Sequence, residues 1–251
     1  MSRWLFVLVL ATAVASVGIA SAEAGPRAPG ASKSTHRHAK KKKRAKDDRR
    51  PNRRTKLNMP HGFVWPPSRQ MEAEADACEA QLDELGVTYQ PAKAVGRVVR
   101  PITIGGEIGG IKYTPMYGRH LVFDCQLVLT LASFAPTLKQ LGVRELEVLS
   151  AYRYTKVRVG GRTKNVLSRH ALGIALDVVG FIDEAGHESN VERDYKRGDE
   201  LLDAIERTVN ASGLFRLLLT PRNDPKSHHD HFHFEANPDY TTPPTREKPS
   251  S

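Results

Sequence analysis

Residues 168–177 read SRHALGIALD and continue into the apolar run VVGFI at residues 178–182. We predict a β-strand over residues 173–182, along which the side chains alternate about the backbone. His170 and Asp177 lie seven positions apart, and the small residues Gly173 and Ala175 between them let the backbone pass close to a bound ion or substrate. Taken alone, this pair of polar residues is more typical of a structural hydrogen-bonded pair than of a metal site.

A second polar cluster, HHDHFHF, occupies residues 228–234. We predict a strand over residues 230–235, on which His231 and His233 face one way while Phe232 and Phe234 face the other. The aromatic rings would anchor this strand in the core, and the imidazoles would line a polar site. A histidine-rich loop that binds metal incidentally is the alternative.

Together the two clusters supply the ligands of a catalytic zinc ion, which needs three nitrogen or oxygen donors and one open position. We expect His170, Asp177 and His233 to bind one Zn²⁺ per chain. Zinc lowers the pKa of water to about 7, and a nearby carboxylate accepts the proton. Asp230 is the candidate general base, and His231 is a candidate for stabilising an oxyanion or orienting the water.

Arg153 follows a predicted strand over residues 146–152 and precedes the segment that leads to His170. A guanidinium group at this point can bind a peptide carboxylate or stabilise a tetrahedral intermediate. An ordinary surface arginine is the alternative.

Three amphipathic segments predict helices over residues 71–85, 123–141 and 199–210, with a break or kink at Pro136 in the second. Short strands are expected within residues 95–120 and over residues 214–219. These elements predict an α+β domain with a small, largely antiparallel sheet and flanking helices. Cys78 and Cys125 lie in the first two helices, where they form either one disulfide or a pair of buried thiols.

The first 58 residues differ sharply from the rest. Residues 1–24 contain an apolar run closed by small residues, which predicts a cleaved secretory signal, with a membrane anchor as the alternative. Residues 25–58 hold fourteen Lys or Arg residues against two Asp and few large apolar side chains, which predicts a disordered basic linker.

This charge distribution bears on the binding partners. The full chain carries a net charge of +10 and residues 25–58 carry +12, so residues 59–251 carry −2 once Arg3 and Glu23 cancel. A folded domain without a basic face is unlike a specific nucleic-acid-binding domain. We expect the basic linker to bind envelope polyanions, or to serve as a solvated spacer.

Three motifs carry a family resemblance: Tyr152-Arg153, the pattern from Ser168 through His170 to Asp177, and Asp230-x-x-His233. They resemble the zinc peptidase superfamily (LAS type) that includes D-alanyl-D-alanine carboxypeptidases and dipeptidases, lysostaphin-type endopeptidases and the Hedgehog signalling domain. The Asp-His-Phe-His run and the cysteine-bearing helices more closely resemble the bacterial extensin-like C-terminal domain family. The resemblance spans residues 71–237 within a domain at residues 59–251.

The resemblance implies the same zinc ligands, the same general base and a substrate-contacting role for Arg153. It also implies an exported metallopeptidase, periplasmic or extracellular, that hydrolyses peptide bonds of peptidoglycan stem peptides or cross-links. After signal cleavage no transmembrane segment is expected. The alternative function is a non-catalytic, zinc-containing module that binds the cell wall. No serine-hydrolase elbow, phosphate-binding glycine loop or C-x-x-C motif occurs in the sequence.

Overall fold

The computed structural model describes residues 58–118, 120–159 and 162–241, all of which belong to one compact unit. The predicted signal at residues 1–24 and nearly all of the basic linker lie outside these residues. The strands are β1 (Tyr89–Pro91), β2 (Pro101–Ile104), β3 (Glu107–Ile108), β4 (Ile111–Pro115), β5 (Phe123–Asp124), β6 (Val143–Ser150), β7 (Lys156–Val159), β8 (Arg162–Leu167), β9 (Ala175–Asp183), β10 (Glu188–Asn190), β11 (Phe215–Leu219) and β12 (Phe232–Ala236). The helices are α1 (Arg69–Glu84), α2 (Cys125–Gln140), α3 (Val191–Asp194) and α4 (Glu200–Ser212), and two 3₁₀ helices span Arg169–Leu172 and Tyr195–Arg197.

The main sheet has seven strands, in the order β11-β12-β9-β6-β4-β3, with β10 also paired to β9. All pairs are antiparallel except β4 with β6, so the predicted α+β class and the largely antiparallel sheet are confirmed. The parallel pair requires a crossover connection, and β5 and α2 lie between β4 and β6 in the chain. Helix α2 packs on the sheet, where Phe134 meets Phe215 of β11 edge to face at 5.2 Å.

Strand β9 is central and is buried from Ala175 through Phe181. The amphipathic alternation of a half-exposed strand is therefore absent, because β9 has neighbours on both edges and cover on both faces. A polar side chain on such a strand is costly unless it is paired. Asp177 is fully buried within β9, so its carboxylate must be compensated by specific partners.

Helices α1 and α2 are joined by the disulfide between Cys78 and Cys125, whose Cα atoms are 6.1 Å apart. The predicted pairing is thus confirmed, and the alternative of two buried thiols is wrong. A break or a kink was predicted at Pro136, and the break is wrong, because α2 continues from Cys125 to Gln140. The hydrogen bond that proline cannot donate is offset by the burial of neighbouring Phe134, Ala135 and Leu138 in the core.

The two ends of the described domain lie side by side. His61 forms a parallel β-bridge with Asp239, and the Tyr240 amide donates a hydrogen bond to the His61 carbonyl at 2.9 Å. Strands β7 and β8 form a separate two-stranded hairpin between β6 and the first 3₁₀ helix. Among residues 58–118, 120–159 and 162–241, no helix has the length and apolarity needed to cross a membrane.

Candidate metal centre

The sheet register brings two of the predicted ligands together. Strands β9 and β12 run antiparallel with Asp177 directly opposite His233. Ser150, at the end of β6, is the partner of Asp177 on the other side. The three central strands therefore meet at the Asp177 carboxylate.

His170 reaches the same point from the 3₁₀ helix that precedes β9. The Ser168 side chain caps this helix by accepting from the His170 amide, and Gly173 ends it in the left-handed conformation with φ +70°. A Cβ atom at Gly173 would lie 2.7 Å from the backbone nitrogen of Asp124, so only glycine fits. The tight turn returns the chain into β9 with His170 and Asp177 on one side.

Three side-chain atoms converge at the centre. His170 Nε2 lies 3.1 Å from Asp177 Oδ1, His233 Nδ1 lies 2.7 Å from the same oxygen, and the two nitrogens are 3.1 Å apart. All three side chains are buried. These residues form a group able to hold a metal ion.

The outer nitrogen of each imidazole already has an acceptor. His170 Nδ1 donates to the Ala151 carbonyl at 2.6 Å, and His233 Nε2 donates to Glu235 Oε1 at 3.1 Å. With hydrogens on the outer nitrogens, His170 Nε2 and His233 Nδ1 present lone pairs to each other and to a carboxylate oxygen. Positive charge between these three atoms, from a metal ion or from a proton on His233 Nδ1, offsets the repulsion of their lone pairs. Such outer contacts are also what orients histidine ligands at metal sites.

The pKa shifts of Asp177 and His233 also indicate that positive charge is stabilised at this centre. Burial disfavours the Asp177 carboxylate, but the charges and hydrogen bonds of His170 and His233 outweigh it and hold the pKa of Asp177 well below its usual range. Burial likewise opposes protonation of His233, yet hydrogen bonds to Asp177 and Glu235 raise its pKa to about 9. Burial lowers the pKa of His170.

The donor set and its spacing fit zinc. Two imidazole nitrogens and one carboxylate oxygen are typical ligands of a catalytic zinc ion. Tetrahedral bonds of 2.0–2.2 Å separate ligand atoms by roughly 3.4 Å, so distances of 2.7–3.1 Å need only a small expansion. A further buried nitrogen atom, His231 Nε2, lies beside the three ligand atoms. It has no hydrogen bond in the described part of the chain and lies 3.4 Å from Asp177 Oδ1.

Asp230 lies behind His231 and not against the three ligands. Its Oδ1 accepts a hydrogen bond from His231 Nδ1 at 2.7 Å. Burial opposes its ionisation, but the hydrogen bond and charge of His231 outweigh this and lower the pKa of Asp230. The predicted strand over residues 230–235 begins at Phe232 instead, so Asp230 and His231 belong to the loop before β12. His231 still faces the centre, while Phe232 and Phe234 are buried in the core, as the alternation predicts.

Arg153 contacts the same carboxylate from outside. Its Nη2 donates to Asp177 Oδ2 at 3.0 Å, and Ser150 Oγ donates to that oxygen at 2.8 Å. Asp177 Oδ2 is thereby occupied, and Oδ1 is left to the histidines. The Arg153 side chain is 52% exposed, so it also presents a free side to solvent.

A cleft of about 480 Å³ opens onto this centre, and His170, His231 and His233 form part of its wall. Strand β7, strand β11 and the loop before β12 also contribute to this wall. One end of the central strands thus brings together all six predicted site residues: Arg153, His170, Asp177, Asp230, His231 and His233.

The sequence analysis missed Glu235, the acceptor for His233 Nε2. It also pairs with Arg216 and lies 3.4 Å from Arg169 Nε. The alternation that placed His231 and His233 on one side extends to Glu235, two positions later, and was sufficient to find it. The Ala151 carbonyl carries no sequence signal, because any residue supplies one.

The chain matches the model of one protein family, described as extensin-like protein C-terminus, over residues 76–242. No curated protein and no solved structure matches it. The matched range contains all six site residues and both cysteines. Since the match covers most of the sequence, the chain belongs to the extensin-like protein C-terminus family.

Proposed function

We propose that this chain is an exported zinc metallopeptidase that hydrolyses peptide bonds in peptidoglycan stem peptides or cross-links. One observation carries the metal assignment: three buried acceptor atoms converge within 3.1 Å while the outer nitrogens of both histidines are already engaged. The resemblance of the motifs to the zinc peptidase superfamily supports the peptidase assignment.

His170 Nε2, His233 Nδ1 and Asp177 Oδ1 would hold the ion. When bound, zinc at a site of this kind acts as a Lewis acid toward a carbonyl and lowers the pKa of water to about 7. Ala151 and Glu235 keep the two imidazoles in the required tautomers, and Arg153 with Ser150 keeps the other oxygen of Asp177 engaged.

Asp230 and His231 would handle the proton. His231 Nε2 faces the centre, and Nδ1 is bonded to the Asp230 carboxylate. In this arrangement Asp230 stabilises positive charge on the imidazole, so that His231 can take a proton from water or donate a hydrogen bond to a developing oxyanion. Asp230 itself, 37% exposed, is the alternative acceptor. Arg153 would bind a carboxylate of the substrate with its free side.

Export is part of the proposal. A disulfide forms in oxidising compartments, and the Cys78–Cys125 bridge is consistent with the periplasm or the cell exterior. The basic segment at residues 25–58 would attract envelope polyanions and keep the domain near the wall.

The test combines metal content with peptide release. Zinc and iron are measured by elemental analysis of the purified wild-type protein and of His170→Ala and His233→Ala, and muropeptide digestion is followed on the same samples. His187→Ala is the matched control, because that histidine lies on an exposed turn paired with Asp183. We expect about one zinc per chain and peptide release in the wild type and in the control, and neither in the two ligand variants.

Each departure has a defined meaning. Zinc without peptide release in the wild type favours the non-catalytic wall-binding module. Iron in place of zinc overturns the metal assignment, since two histidines and one carboxylate also bind non-haem iron. Zinc that is retained in both ligand variants would contradict the assignment of His170 and His233 as ligands.

A further inference from the structure

We propose that the cleft recognises carboxylate groups on its peptide substrate through a basic rim formed by Lys156, Arg158 and Lys226. This inference rests on the proposed function and specifies the chemistry of its substrate. All three residues line the cleft that opens onto the metal centre. They come from two segments, the hairpin β7–β8 and the loop before β12, that are about 70 residues apart in the sequence.

The hairpin is strongly basic in a domain that is not. Residues 156–167 read KVRVGGRTKNVL and contain four cations without a single Asp or Glu, whereas residues 59–251 as a whole carry a net charge of −2. This local excess of positive charge is therefore not explained by the overall composition of the domain, which is slightly acidic. It attracts anions to the adjoining cleft.

The cations of the rim have no acidic partner among the described residues. Lys156 Nζ donates to Asn165 Oδ1 at 2.9 Å, and within residues 58–118, 120–159 and 162–241 none of the three rim residues takes part in an ion pair. The carboxylates of the cleft wall are already engaged, Asp224 with His228 at 3.0 Å and Glu235 with His233 at 3.1 Å. The cleft therefore presents net positive charge to whatever enters it.

The hairpin also contributes little to the core. It is a separate two-stranded sheet, and its described side chains are exposed or only half-buried. An isolated hairpin of this kind is marginally stable by itself. Its residues Lys156, Val157 and Arg158 line the cleft, where they are available to a ligand. A peptide bound on the hairpin side of the cleft would bring its carboxylates within reach of Lys156 and Arg158, while Lys226 approaches from the other segment.

Two matched peptides test the proposal with the full-length protein. One is N-acetyl-Ala-γ-D-Glu-Lys-D-Ala-D-Ala with both carboxylates free, and the other is the same peptide with both amidated. Binding is measured by calorimetry on protein freed of metal by chelation, and kcat/KM is measured on zinc-loaded protein. The variants are Arg158→Gln/Lys226→Gln and the control Arg162→Gln/Lys164→Gln, which removes the same charge from exposed hairpin positions outside the cleft wall.

We expect the wild type and the control to bind the free-carboxylate peptide about tenfold more tightly than the amide, which corresponds to about 1.4 kcal/mol for two exposed charge contacts. The rim variant should lose most of this preference and bind the amide normally, because only Lys156 and Arg153 then remain to contact a carboxylate. Added salt should reduce the preference of the wild type. Equal losses in both double variants, or a preference that is undiminished in the rim variant, would overturn the proposal. If the wild type cleaves neither these peptides nor cross-linked muropeptides, the proposed function fails, but the calorimetric comparison still decides this inference.

Discussion

Reduction of the Cys78–Cys125 bridge should destabilise the domain by about 4 kcal/mol. The two cysteines are separated by 47 positions in the sequence. In the chain-entropy model a loop of this size removes about 13 to 14 cal/mol/K from the unfolded state, which amounts to about 4 kcal/mol at 25 °C. The folded state should change little, because α1 is also held by the buried residues Met71, Ala75 and Leu82.

The assay is urea unfolding followed by far-ultraviolet circular dichroism. With a urea dependence of about 2 kcal/mol/M, the loss moves the unfolding midpoint down by about 2 M. In a thermal scan it lowers Tm by about 8–16 °C. Reduced wild-type protein keeps both sulfur atoms and isolates the effect of the cross-link. Cys78→Ala/Cys125→Ala should be less stable still, because both side chains are fully buried and their removal leaves a cavity.

A midpoint that moves by less than about 0.5 M on reduction would refute this reasoning. It would mean that the unfolded chain already keeps α1 near α2, so that the bridge removes little freedom. A reduced protein that loses helix signal before the global transition would show instead that α1 detaches locally.

The remaining predictions concern the carboxylates. Glu235→Gln should weaken zinc binding about 10- to 100-fold, because the amide no longer accepts a charge-assisted hydrogen bond from His233. Competition with a chelator measures the affinity, Glu192→Gln at an exposed position of α3 is the control, and equal affinities would contradict the prediction. Burial raises the pKa of Asp124 from 3.8 to about 6, so its stabilising contribution is complete below pH 3.8 and is lost as the pH rises through 6. Between pH 4 and pH 7 the unfolding free energy of the wild-type protein should fall by about 2 kcal/mol more than that of Asp124→Asn, and parallel stability curves would exclude this.

Helices were easier to predict from the sequence than strands. The amphipathic patterns placed helices over residues 71–85 and 199–210, and α1 and α4 begin and end within two residues of those bounds. Strand β6 was predicted over residues 146–152 but covers Val143–Ser150, because polar Arg144 and Glu145 weaken the apolar signal at its start. The parallel pairing of β4 with β6 has no local signature, since it depends on the crossover through α2.

The hairpin β7–β8 was missed although its sequence carried a signal. Gly160 and Gly161 stand between KVRV and RTKNV, and a glycine pair between two runs of alternating residues is typical of a hairpin turn. The spacing of His170, Asp177 and His233 identified residues that do converge. The contact of Asp230 with His231 could not be predicted, because it depends on a loop conformation outside the strand.

The bridge between His61 and Asp239 places the entrance and the exit of the domain next to each other. A domain with adjoining ends can be inserted into a surface loop of another protein without stretching its host. The same closeness permits circular permutation, in which a short linker joins residues 58 and 241 and new ends open elsewhere. It also means that segments attached before and after the domain emerge at one place, where they can meet a common neighbour.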